Sequence, residues 1–89
     1  YAVEKTGSSN INIKLTNMFR ECVISIDHTN NLIVVKTLSG SANAAAIMID
    51  KSGFDGVLGC IAGDDTFLII CRDEEAVQNT LQKLNDIIR

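Results

Sequence analysis

Two hydrophobic rhythms alternate along the chain. From Ser9 to about Arg20, apolar residues fall at Ile11, Leu15, Met18 and Phe19, the spacing of one helical face, with Ser9 or Asn10 placed to cap it. The stretch "ECVISIDHTNNLIVVKTL" then carries two β-rich runs, Cys22 to Asp27 and Leu32 to Thr37. Between them "HTNN" reads as a turn, because Asn accepts the left-handed backbone that turns require, and the two runs are predicted to form a hairpin. In "SGSANAAAIMID" the alanines favour helix. Ser39 or Ser41 is the expected cap, and Ala42, Ala45, Ala46 and Ile49 form an inward face.

After the loop "KSGFDG", Val57 to Ala62 and Thr66 to Cys71 repeat the strand pattern around Gly63, Asp64 and Asp65, which predicts a second hairpin. Asp73 then caps a last helix. Glu74 and Glu75 suit the positive end of its dipole, and Val77, Leu81, Leu84 and Ile88 make an apolar stripe. The order helix, two strands, helix, two strands, helix predicts an α+β fold: a four-stranded antiparallel sheet with helices on one face. Both alternations of the strands are apolar. Val23 opposes Cys22, Ile24 and Ile26, and Ile33 and Val35 oppose Leu32 and Val34, so the second sheet face is expected to be buried by another subunit.

Length points the same way. A chain of 89 residues is one domain and buries a limited share of its surface, a shortage that oligomerisation relieves. With 46% hydrophobic residues, 4% aromatics and no proline, its core has to be built from Ile, Leu, Val and Ala. Residues 1–8, ending in "TGSS", read as a linker remnant, and 9–89 as the domain. The apolar runs are too short to span a bilayer and the first residues lack the order of a secretory signal, so a cytoplasmic protein without membrane contact is expected.

A net charge of -3 and a pI near 4.9, with no run among the eight basic residues, argue against this domain gripping a phosphate backbone. Cys22, Cys60 and Cys71 include no CxxC pair, and His28 is the single histidine. A zinc site is therefore poorly supplied, and the cysteines read as small buried hydrophobes in a reducing compartment. His28 falls in the predicted turn, where a solvated imidazole is the plain reading. No serine or threonine has an evident base, and no glycine-rich phosphate loop follows a strand, so no enzyme is expected.

The chemistry concentrates at "GCIAGDDTFLIICR", where two acids stand side by side after a glycine. Gly and Asp are ordinary turn residues, and turn chemistry alone is one explanation. A second observation adds to it: Asn43 and Asp50 lie seven residues apart in an otherwise apolar helix, within ~20° of one another around its axis. Three carboxylates and an amide on two elements would suit a cation. A guanidinium matches carboxylates through paired N–H bonds, and a hard metal is the rival. Gly-Asp-Asp on a hairpin also resembles the magnesium-binding turn of viral RNA-dependent RNA polymerases, but 89 residues leave no room for such an enzyme.

Taken together, "VVKTLSGSANAAAIMID" and "GVLGCIAGDDTFLIICRDEEA" resemble the C-terminal domain of the bacterial arginine repressor family, with the element order matching from about Ile11 to the end. The resemblance implies an effector-sensing and oligomerisation domain packed as a trimer core. Two trimers would stack into a hexamer, with L-arginine bound between them as corepressor of arginine metabolism genes and no other cofactor. It places operator DNA recognition in a separate N-terminal domain that these residues do not supply. By position it makes Asp64 and Asp65 the acids that hold arginine's guanidinium and α-amino groups and Asp50 a further acid of the pocket. Cys60 and Ala62 fall where backbone polar groups help hold the ligand. Cys60 stands where the family commonly has threonine, Ser39-Gly40 where it has Pro-Gly, and Asn43 where it has glutamine. An amino-acid-binding regulatory domain of the ACT type for another effector, a ligand-independent assembly domain and a metal-dependent enzyme are the alternatives.

Overall fold

The computed structural model describes residues 16–88. Helix α1 (16–22) leads into β1 (Val23–Thr29) and β2 (Leu32–Thr37), then α2 (Ala42–Ser52), β3 (Val57–Ala62), β4 (Thr66–Cys71) and α3 (Glu74–Ile88). The expected order of elements holds. The linker reading of residues 1–8, the cap at Ser9 or Asn10, and Ile11 and Leu15 lie outside the described residues.

All four strands pair antiparallel in the order β1-β2-β4-β3. The return from β2 to the far edge is made by α2, so the acidic β3–β4 turn comes back to the end of β2 and the start of α2. On the inner face Ile33, Val35, Phe67, Ile69 and Cys71 are fully buried, beneath Phe19 of α1, Ala42, Ala45 and Ile49 of α2, and Val77 and Leu84 of α3. The period-2 pattern of the strands and the helical stripes thus meet in one core. Asp73 caps α3 as its position predicts, its Oδ1 accepting from the Ala76 N–H at 2.9 Å.

Three local expectations are corrected. Strand β1 runs two residues past Asp27, so His28 is an exposed strand residue paired with Ile33 and not part of a turn. The connection needs only Asn30 and Asn31, because Asn30 takes the left-handed conformation (φ 48°) that reverses the chain tightly. Helix α1 runs on to residue 22, and β1 starts at Val23 where the expected strand began at Cys22. Neither candidate serine caps α2 through its side chain: Ser41 occupies the cap position without a side-chain bond, and Ser39 turns elsewhere.

The opposite sheet face carries no described helix. Ile24, Leu58 and Ile61 are 66%, 59% and 62% exposed there, and the paired row Val34, Leu68 and Ile61 crosses the sheet. The two edge strands are each interrupted by an irregularity, between Val23 and Ser25 and between Val57 and Gly59. The inner pair, β2 and β4, runs in regular register. Gly56 lets α3 approach closely: with φ 82°, a Cβ there would stand 2.5 Å from that of Ala76, so any larger residue forces the helix outward.

Candidate functional site

The β3–β4 turn is tied to the chain leaving β2 almost entirely through backbone. The Gly63 N–H donates to the Thr66 carbonyl at 2.9 Å and closes the turn on itself. The Asp65 carbonyl accepts from the Thr37 N–H at 2.7 Å, and the Asp64 carbonyl accepts from the Gly40 and Ala42 N–H groups at 3.0 and 3.3 Å. Gly40 reaches that position with φ 81°, a backbone shape glycine adopts without strain. One turn carbonyl therefore satisfies the first free N–H of α2, an orphan donor that would otherwise need a side-chain cap.

Because the carbonyls make these bonds, the carboxylates are left for other work. Asp64 and Asp65 are both exposed. The Ser39 hydroxyl donates to Asp64 Oδ2 at 2.9 Å, and the Thr66 hydroxyl donates to Asp65 Oδ1 at 3.2 Å. No sequence pattern points to either hydroxyl in this role. Ser39 and Asp64 are 25 residues apart, and only the crossover through α2 brings them together; the Thr66 bond joins neighbours, and its one signal is the Asp-Thr pair itself.

The remaining sequence-predicted residues lie along the same edge. Asn43 is exposed in the first turn of α2, next to the residue whose N–H the Asp64 carbonyl receives. Ala62 ends β3 and pairs with Phe67, and Cys60 pairs with Ile69; both pack against the core. Asp50, near the other end of α2, is exposed but faces Cys60. Partial burial pushes the Cys60 thiol up to about 12, and the Asp50 carboxylate adds to this by its charge and by accepting from the thiol. At neutral pH Cys60 is therefore a thiol. Cys71, fully buried, is raised by burial as well.

The structure thus gathers Asp64, Asp65 and Asn43 around the turn and sets Asp50 beside Cys60 farther down β3. Within one chain Asn43 and Asp50 are both exposed, so neither needs a buried partner. Among the described residues no three His, Cys, Asp or Glu side chains come together as a metal would require. As an edge strand, β3 has a strand partner on one side only, so backbone N–H and C=O groups on its other side are not paired to a strand. What the arrangement offers is a rigid turn presenting two carboxylates, with an amide and free backbone groups nearby. Among the described residues no helix is long and apolar enough to cross a membrane.

Residues 19–86 match the family described as the arginine repressor, C-terminal domain. The arginine repressor of Clostridium acetobutylicum is 47% identical over 88 residues, covering 99% of this chain and 59% of the relative. The arginine repressor of Clostridium botulinum is 46% identical with the same coverage, and that of Alkaliphilus oremlandii is 40% identical over 89 residues, 60% of its length. The chain therefore spans about 59% of the length of such curated relatives. The family is one of transcriptional regulators and not of enzymes. With the match running from α1 almost to the end of α3 and taking in the whole acidic turn, the chain belongs to the arginine repressor family, in the part that forms its C-terminal domain.

Proposed function

We propose that this domain senses L-arginine and couples its binding to assembly within a cytoplasmic transcriptional regulator of arginine metabolism. The observation that carries the proposal is the acidic turn, whose carbonyls are committed to the start of α2 and the end of β2 while its two carboxylates stay exposed. A guanidinium fits such a pair, because carboxylate oxygens side by side accept its N–H groups in parallel. Asp64 and Asp65 are the primary contacts with arginine. Asp50, Asn43 and the backbone groups of Cys60 and Ala62 complete the pocket.

The apolar open face supports the assembly half of the reading, since a patch of exposed Ile and Leu of this kind marks an interaction surface. Three copies close over their sheets, and two such trimers meet with the acidic turns facing. Without arginine the facing carboxylates repel one another; with it, charge-assisted bonds bridge them. Ligand binding and hexamer stability are then one equilibrium seen from two sides. In the longer relatives this coupling would set the placement of operator-binding domains outside the present chain.

The test is calorimetric titration with L-arginine beside L-citrulline, which keeps the shape and lacks the charge, followed by sedimentation with and without ligand. Heat with arginine alone, together with a shift from trimer to hexamer, is the expected result. No heat with either ligand would sink the sensing role and leave an assembly module.

A further inference from the structure

We propose that Ser39 is a positioning residue for the ligand carboxylate of Asp64, an inference that rests on the arginine-sensing reading above. The backbone at Asp64 is fixed by two N–H donors on its carbonyl, from Gly40 and Ala42. Its side chain is different. Asp64 is exposed, and an exposed aspartate on a fixed backbone still samples several staggered χ1 wells, of which one presents the carboxylate usefully. The bond from the Ser39 hydroxyl to Asp64 Oδ2 at 2.9 Å is what selects among them.

The selection leaves the ligand face open. Each carboxylate oxygen has two lone-pair sites. Ser39 occupies one on Oδ2, so Oδ1 and the second site of Oδ2 stay available for a bidentate partner. The donor itself is well held: Ser39 lies between Thr37, whose N–H is bound to Asp65, and Gly40, whose N–H is bound to Asp64. A hydroxyl on a loop anchored at both sides costs little to immobilise and spares the ligand the cost of ordering the carboxylate. Thr66 holds Asp65 in the same manner from the other side, at 3.2 Å, so each acid of the pair has its own hydroxyl.

A purely structural role for Ser39 predicts something else. Its removal leaves all three backbone bonds between the turn and the loop in place, and the fold has little to lose. The experiment is arginine and citrulline titration of the 89-residue chain as wild type, Ser39→Ala, Ser39→Thr, Asp64→Asn and the Ser39→Ala/Asp64→Asn pair, with melting temperatures for each. Expected for Ser39→Ala is a loss of arginine affinity of about three- to tenfold, the scale of one hydrogen bond to a charged group at an exposed site. Its melting temperature should be unchanged within about 2 °C. Ser39→Thr should restore the affinity, and discrimination against citrulline should narrow in Ser39→Ala. In the Asp64→Asn background the Ser39→Ala change should have almost no further effect, since coupled groups are not additive. Wild-type affinity in Ser39→Ala, or equal losses in Ser39→Ala and Ser39→Thr, would overturn the positioning role while leaving arginine sensing intact. A wild-type chain that gives no heat with arginine would instead overturn the sensing reading and this inference with it.

Discussion

The two hairpin turns of the sheet solve the same geometric problem with opposite use of their side chains. In the β1–β2 turn, Asn31 commits both its backbone and its side chain to structure: its carbonyl accepts from the Cys71 N–H at 2.9 Å and its Nδ2 donates to the Cys71 carbonyl at 3.1 Å. In the β3–β4 turn the backbone alone makes the long-range ties to the fold, apart from the single bond that Asp64 accepts from Ser39. A turn held by its carbonyls can vary or employ its side chains without loosening the fold. That is the condition under which two like charges can sit together on a small domain and still be free to bind.

The contrast can be broken first at Asp64. Asp64→Asn removes the charge and keeps the shape, so arginine affinity should fall by about a hundredfold, or ~2–3 kcal/mol, as for a hydrogen-bonded charge pair. Urea unfolding should show nearly unchanged stability, and a large stability loss would mean that the carboxylate is structural after all. Asn31→Ala is the mirror image. It strips a donor from the carbonyl of the buried Cys71 and should cost ~1 kcal/mol of stability, with arginine affinity within error of wild type in the same calorimeter.

A finer test lies one residue earlier. Asn30→Ala keeps a β-carbon in the left-handed region but loses the short polar side chain that makes this shape tolerable, and should cost ~0.5–1 kcal/mol, whereas Asn30→Gly should be neutral or slightly stabilising. Equal effects of the two would show that the turn relaxes to another shape. The smallest effect concerns the strand that leads into the acidic turn. Because the Cys60 thiol is raised to about 12, its contribution to stability is whole below pH 9 and is lost as pH climbs toward 12. Cys60 is only half-buried, so the slope should be well below the ~1.4 kcal/mol per pH unit of a fully shielded group. Melting curves between pH 8 and 11 should fall more steeply for wild type than for Cys60→Ala.

Most of the architecture was legible because local and long-range preferences agree. Strands β2, β3 and β4 appear with the limits their apolar runs and turn residues predict, and Ala42, Ala45, Ala46 and Ile49 are buried on α2 as expected, joined by Met48, which the pattern does not single out. The end of β1 was not legible. "HTNN" is equally compatible with a four-residue turn, and only the pairing of His28 with Ile33 and of Thr29 with Leu32 decides for two residues. For the candidate site, the residue types single out the acidic turn, but they carry no information about what fixes it. The ties from Thr37, Gly40 and Ala42 are backbone bonds, to which no side-chain pattern corresponds, and the Ser39 bond depends on the strand order. Serine before a helix also reads as a cap, and here the Asp64 carbonyl had already taken that duty.

The irregularities in β1 and β3 bear on how such chains behave at the concentrations of a cell. An uninterrupted outer strand is an open template on which a further sheet can grow, and growth of that kind has no natural end. Here each outer strand is broken between neighbouring pairs while the inner pair is regular, and a bulge twists the rim away from flat addition. Addition at the rims is thereby disfavoured, and an assembly built through the proposed apolar face would stop once that surface is covered. The same two kinks that look like flaws in the ladder work against open-ended growth into fibres.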